Sequence, residues 1–106
     1  METNQTNDVK WKYRQISQEL QKVFAGFSSN YRQKLVYNLL NAIKGNDQKE
    51  FFWLLLRALN AKLGEEEANR IFKQIIGIYP LSSSEFEKVA YSVVLGIMSA
   101  GGGKSE

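Results

Sequence analysis

Residues Phe51 to Leu56, in the stretch EFFWLLLR, are six large apolar side chains in unbroken succession in a chain of otherwise mixed polarity. A bilayer crossing takes about 20 predominantly apolar residues, and this run is closed by Lys49 and Glu50 on one side and Arg57 on the other. The run is too short to span a membrane, so its surface must be covered by protein. At ~100° per residue, a helix here places Phe51, Phe52, Leu55, Leu56, Leu59 and Leu63 on one broad side and leaves Trp53, Leu54, Arg57 and Ala61 on the other. Two readings follow. A helix apolar nearly all round is packed by neighbours on both sides; alternatively it packs inward with its broad side and offers Trp53, Leu54 and Arg57 to a partner, Trp and Arg being residue types that interface hot spots favour.

The rest of the chain reads as helices of the same kind, with no convincing strand and no internal repeat. Residues 1–8, METNQTND, are polar and lack apolar periodicity, so they read as a mobile leader ending in a cap at Asn7 or Asp8. A first helix from Val9 to about Ala25 carries Ile16, Leu20, Val23, Phe24 and Phe27 on one face. A second, from about Asn30 to Lys44, carries Leu35, Val36, Leu39, Leu40 and Ile43 and stops at Gly45, read as a left-handed cap. The third follows an Asn46 or Asp47 cap, with Asp47 and Glu50 at capping-box spacing, and ends near Gly64.

Three acids, Glu65 to Glu67, open a fourth helix where they complement its dipole, and Glu66 stands i, i+4 to Arg70 as a surface pair. Gly77 and Pro80 stop it. Ser82 and Ser84, each followed three residues later by Glu, are alternative caps for a fifth helix with Phe86, Val89, Ala90, Val93, Val94 and Ile97 on one stripe. Short connections between amphipathic helices predict one all-α domain, a compact bundle of about five helices over residues 9–100, followed by a flexible tail at 101–106.

Composition narrows the function. The chain has no Cys, which excludes disulfides and thiolate metal sites, and no His, the usual general base and nitrogen ligand near neutral pH. Glu65 to Glu67 are accounted for by their place at a helix start, and the glycines at 101–103 follow a helix instead of preceding one, so no phosphate loop is present. The expectation is a protein without catalysis, metal or cofactor. Without an N-terminal apolar segment, a cytoplasmic location is the default, with no membrane partner.

Charge is unevenly divided. Residues 1–46 hold seven Lys/Arg against three Asp/Glu, a net +4, and residues 47–106 hold seven against eight, a net −1. No acid occurs from Leu20 through Asn46. The outward residues of the second helix, Lys34, Tyr37, Asn38, Asn41 and Lys44, suit sugar-phosphate contact without reading base sequence; the alternative is a solvated face that is incidentally basic. On the first helix Trp11 lies opposite the apolar stripe, among Arg14, Gln15, Gln18, Gln21 and Lys22. Its indole either stacks on a base or on an aromatic group of another subunit, or it covers the leader or a neighbouring helix end. The candidate phosphate contacts are Lys10, Arg14, Lys22, Arg32, Lys34 and Lys44, with Tyr37 for stacking or packing; the candidate subunit contacts are Trp11, Trp53, Leu54 and Arg57.

The stretches LVYNLLNAIKGNDQKEFFWLLLRALNAK and FEKVAYSVVLGIMSA resemble the C-terminal helical region of the large subunit of type I CRISPR interference complexes, the Cascade assemblies. In several such systems that region is also made separately as a small subunit. The resemblance is one of pattern: a helix ending in a basic residue and Gly, a short Asn-Asp turn, an aromatic-Leu helix, and a final helix closing on Gly-Ile-Met. It implies a non-catalytic helical subunit, present in several copies, lying against the large and backbone subunits and supporting CRISPR RNA and target DNA by their backbones, with sequence read by guide pairing. It does not fix which basic residues touch nucleic acid. The rival reading is a helical protein-protein adaptor with no nucleic-acid role.

Overall fold

The computed structural model describes residues 2–76 and 81–100, with side chains over 12–74 and 81–100. Five α-helices follow one another: α1 (Glu2–Phe24), α2 (Ser29–Lys44), α3 (Gln48–Leu63), α4 (Glu65–Ile76) and α5 (Ser83–Ser99). There is no strand among the described residues, and the expected single-domain all-α bundle is what the chain forms.

Helix ends show where local rules held and where they did not. α1 begins at Glu2 rather than Val9, so Asn7 and Asp8 lie inside it and cap nothing at Val9. Residues 2–8 contain neither Gly nor Pro, and a segment without a breaker can extend a helix that its neighbours nucleate. The tail at 101–106 and the stop at Gly77 and Pro80 lie outside the described residues. Ser28 caps α2 by accepting the Tyr31 N–H at 3.1 Å.

At the other end of α2 the left-handed residue is Asn46, with φ 53°, and not Gly45, whose φ is −85°. Asn tolerates this region better than most residues. Placing it there lets Asn46 N–H donate to Ile43 O and Asp47 N–H donate to Ala42 O, each at 2.9 Å, the paired closure of a Schellman motif. Asp47 also caps α3, its carboxylate accepting the Glu50 N–H at 3.1 Å. One Asn-Asp pair therefore ends one helix and starts the next. Between α3 and α4 the turn is made by Gly64 at φ 92° and ψ 163°, a conformation essentially restricted to glycine. Of the two candidate caps for α5, Ser82 is used, accepting the Glu85 N–H at 3.1 Å.

α1 lies along α5, α5 packs on α2, α2 on α3, and α3 on α4. Ser17 Oγ donates to Ser92 O at 3.0 Å and Gln21 Nε2 donates to Ser99 O at 3.5 Å, so α1 and α5 run in the same direction. Asn46 Nδ2 donates to Ser83 Oγ at 3.2 Å, which joins the end of α2 to the start of α5 and sets those two antiparallel. All buried side chains are apolar among the described residues.

The broad face of α3 accounts for most of the apolar run. Phe51 and Phe52, adjacent in sequence and both buried, meet edge-on with centroids 5.2 Å apart. Phe51 reaches Phe86 of α5 at 5.5 Å and Phe52 reaches Phe72 of α4 at 5.8 Å, again edge to face. These quadrupole-favoured contacts add about 0.5–1.5 kcal/mol each to the area they bury. Gln48, at the start of α3, forms a reciprocal pair with Leu81: its Nε2 donates to Leu81 O, and Leu81 N–H donates to its Oε1 at 3.0 Å.

A Cβ at Gly96 would stand 2.5 Å from Ser17 O and 3.1 Å from both Ser17 Cα and Leu20 Cβ. Replacing Gly by Ala in a helix interior normally stabilises by about 1 kcal/mol, but overpacking against a neighbouring backbone costs about 1–3 kcal/mol. Gly96→Ala is expected to lower the urea midpoint at an unchanged denaturant slope, and a raised midpoint would show that α1 retreats at no cost. Gly64→Ala has nothing within 4 Å of its added Cβ, so a loss of about 1–3 kcal/mol there would report backbone strain alone.

Candidate nucleic-acid interface

Among the described residues every buried side chain is apolar, so the charged groups described lie outside the core, and the helix faces left there are the places where another molecule can be met. Three such faces stand out. The first is on α2, whose inward side, Leu35, Val36, Leu39, Ala42 and Ile43, is buried against α3 and α5. Lys34, Tyr37, Asn38, Asn41 and Lys44 are consequently all exposed, as the helical wheel requires. Tyr37 is 68% exposed, more than any other large apolar side chain described. A shallow depression beside it is lined by Gln33, Lys34, Tyr37 and Asn38.

The other predicted basic residues are divided. Arg14 and Lys22 are exposed on α1, whereas Arg32 is half-buried and its Nε donates to Phe27 O at 3.4 Å, closing the α1–α2 turn. Part of the Arg32 guanidinium is thus committed to the fold. The side chains of Lys10 and Trp11 lie outside the described residues. Lys62, which sequence reading left unassigned, donates to Gly26 O at 3.2 Å with its Nζ 5.6 Å from the centre of the Phe27 ring. It fastens the same turn to the end of α3.

The second face is on α3. Trp53 is 55% exposed, and the Arg57 guanidinium carbon sits 5.1 Å from the centre of its ring, a cation-π contact one helical turn apart. Leu54 is partly buried and packs against the core. The chain thus leaves Trp53 and Arg57 outward as the second reading of the apolar run expects, whereas Leu54, which that reading also offered to a partner, is drawn onto the core because the inward side of α3 is wide enough to include it.

The third face is not among the expected contacts. On α5, Tyr91, Leu95 and Met98 recur at i, i+4, i+7 and are 50%, 57% and 59% exposed. Its signal was present: Val89 to Ala100 holds no charge at all, and the inward stripe leaves these three side chains over, as Trp53 was left over on α3.

The acidic cluster resolves into a surface pair. Arg70 donates from its outer guanidinium nitrogen and from Nε, the latter at 3.2 Å, to Glu67, so the ion pair joins i, i+3 and not the expected Glu66. The hydrogen bond from Arg70 holds the Glu67 carboxyl below the usual carboxylate range. The sign is that of stability present above the ordinary carboxylate pKa and lost as pH falls, but the pair lies at the surface, where solvent leaves it screened and small. Among the described residues no group of three or more Asp or Glu side chains is placed to hold a metal. No described helix is long and apolar enough to cross a membrane.

Comparison of the chain with family models, with curated proteins and with solved structures returns no match in any of the three.

Lys34, Lys44 and Trp53 are exposed and make no contact that the core depends on. Trp53→Ala is expected to change folding stability by no more than about 0.5 kcal/mol, and Lys34→Glu with Lys44→Glu by no more than about 1–2 kcal/mol, since Lys44 stands in the last turn of α2, where an acid opposes the helix dipole. Thermal unfolding checks this, and a larger loss would mean that these faces are structural.

Proposed function

We propose that this chain is a non-catalytic small subunit of a CRISPR RNA-guided DNA interference complex, supporting guide, target or displaced strands through backbone contacts and bridging subunits. The observation that carries the reading is the outward face of α2, where Lys34, Tyr37, Asn38, Asn41 and Lys44 are exposed together on a helix without an acid. Phosphate contacts of this kind position a strand and leave sequence to guide pairing. The resemblance of the α2–α3 and α5 sequences to the helical region of the Cascade large subunit supports the same reading. Arg14 and Lys22 are further phosphate contacts in this proposal, and Trp53 with Arg57 is the contact to the next subunit. Its location is cytoplasmic, with the large and backbone subunits and further copies of itself as partners.

A second reading is favoured by the apolar faces: Trp53 on α3 and Tyr91, Leu95 and Met98 on α5 suit a protein-protein adaptor for which the basic helix is incidental. The two differ in what co-purifies. The tagged protein, isolated from its native cell, is expected to bring down RNAs of uniform length carrying CRISPR repeat sequence together with a large helical subunit. A protein partner without RNA would sink the CRISPR reading and favour the adaptor. Within the isolated complex, Lys34→Glu with Lys44→Glu is expected to leave assembly intact and to flatten the salt dependence of DNA binding. Removing two phosphate contacts changes the log-log slope by about 1.8 on duplex or about 1.4 on single strands.

A further inference from the structure

The ring of Tyr37 stands largely outside the core. Among the described residues it makes no ring contact and its hydroxyl makes no hydrogen bond, and 68% of the residue is exposed. Its helix is nevertheless firmly held, capped by Ser28 and closed by the Asn46-Asp47 motif, with Val36 and Leu39 buried on the far side. The ring is therefore presented from a fixed backbone. Along the same stripe Lys34 precedes it by three residues and Lys44 follows by seven, so the two ammonium groups bracket the ring over about 15 Å of helix axis. Asn38 and Asn41 supply amide donors and acceptors between them, and Gln33, Lys34 and Asn38 form the walls of the depression beside the ring.

An exposed aromatic face bracketed by cations matches one ligand chemistry closely: a nucleobase whose face is open, on a strand whose phosphates flank it. In a duplex both faces of a base are covered by its neighbours and only edges reach the grooves. An unpaired strand offers the face itself. We infer that Tyr37 is a stacking platform for one base of an unpaired strand, with Lys34 and Lys44 on the phosphates to either side, so that this face prefers single-stranded nucleic acid to duplex. The inference rests on the nucleic-acid reading proposed above and adds to it the strand state and the residue that selects it.

Amide NMR titration of the whole 12.1 kDa chain tests it, because that method registers weak binding. The probes are an eight-nucleotide oligo-dT, an eight-nucleotide oligo-U and a duplex with the same number of phosphates per strand. The expected result is shifts centred on residues 33–44 that are larger with the single strands, at low salt. Tyr37→Ala is expected to weaken single-strand binding about tenfold and leave duplex binding unchanged, with Tyr37→Phe restoring the single-strand affinity. Equal response to oligo-dT and oligo-U supports stacking on any unpaired strand; dependence on one of them assigns the site to that strand's chemistry, and both outcomes retain the platform. If Tyr37→Ala changes nothing while Lys34→Glu weakens both ligands, the platform is overturned and backbone contact by the basic face remains. If shifts appear only on α1, around Arg14 and Lys22, the platform is overturned and the nucleic-acid reading stands; if neither strand form shifts any residue even at low salt, the nucleic-acid reading falls with it.

Discussion

The approach of α1 to α5 at Gly96 is the contact on which the rest of the bundle depends. It joins the two ends of the chain, and Ser17 donates to a carbonyl 75 residues away. A backbone oxygen lies where any other residue at position 96 would carry its Cβ, and the approach is lined by Ser17 and Ser92 instead of by large side chains. Closing the bundle this tightly brings Ile16, Leu20 and Phe24 fully into the core beside Val93 and Ile97. It also fixes the orientation of α5. With α1 on one side and α2 on another, the side bearing Tyr91, Leu95 and Met98 can only face outward.

Stability in this chain is almost wholly apolar. No polar or charged side chain is buried, and no buried polar atom lacks a partner among the described residues. The edge-to-face set Phe51, Phe52, Phe72 and Phe86 ties α3, α4 and α5 together, while polar groups act at the joints: Gln48 on Leu81, Lys62 on Gly26, and the Asn46-Asp47 pair. Such a separation leaves the outward faces of α2 and α3 free to be changed without touching the core. The same exposure makes the ion pair of Glu67 and Arg70 a minor contributor.

Much of the architecture was legible because the apolar repeats of α2, α3 and α5 are strong and their boundaries coincide with Ser, Asp and Gly. What the sequence concealed has physical reasons. Gly45 and Asn46 are adjacent and either can take a left-handed turn; the choice belongs to the hydrogen bonds back to Ala42 and Ile43, which are visible only in three dimensions. The start of α1 lies earlier than its apolar periodicity indicates, because a polar segment without a breaker can be carried on as an extension of a helix already nucleated by the packed residues that follow it. Gly96 inside an apolar helix reads as a local weakness until its neighbour is known. Of the candidate contacts, the α2 stripe and the Trp53-Arg57 pair followed directly from the wheel, while Arg32 could not be separated from the free cations, since its carbonyl partner, Phe27, is five residues earlier across a turn.

The basic and apolar faces need not be rival explanations. Two lysines along about 15 Å of helix neutralise too few phosphates for one copy to hold a strand at physiological salt, because each contact weakens as counterions accumulate. Apolar surface on α3 and α5 is what would set copies, or a copy and a larger neighbour, in a fixed order, and effective concentration then multiplies the weak contacts along one ligand. On the proposed reading the apolar run around Trp53 would serve two purposes divided by the helical period. Its broad side builds the bundle, and what remains outside would arrange several weak binding faces into one continuous surface.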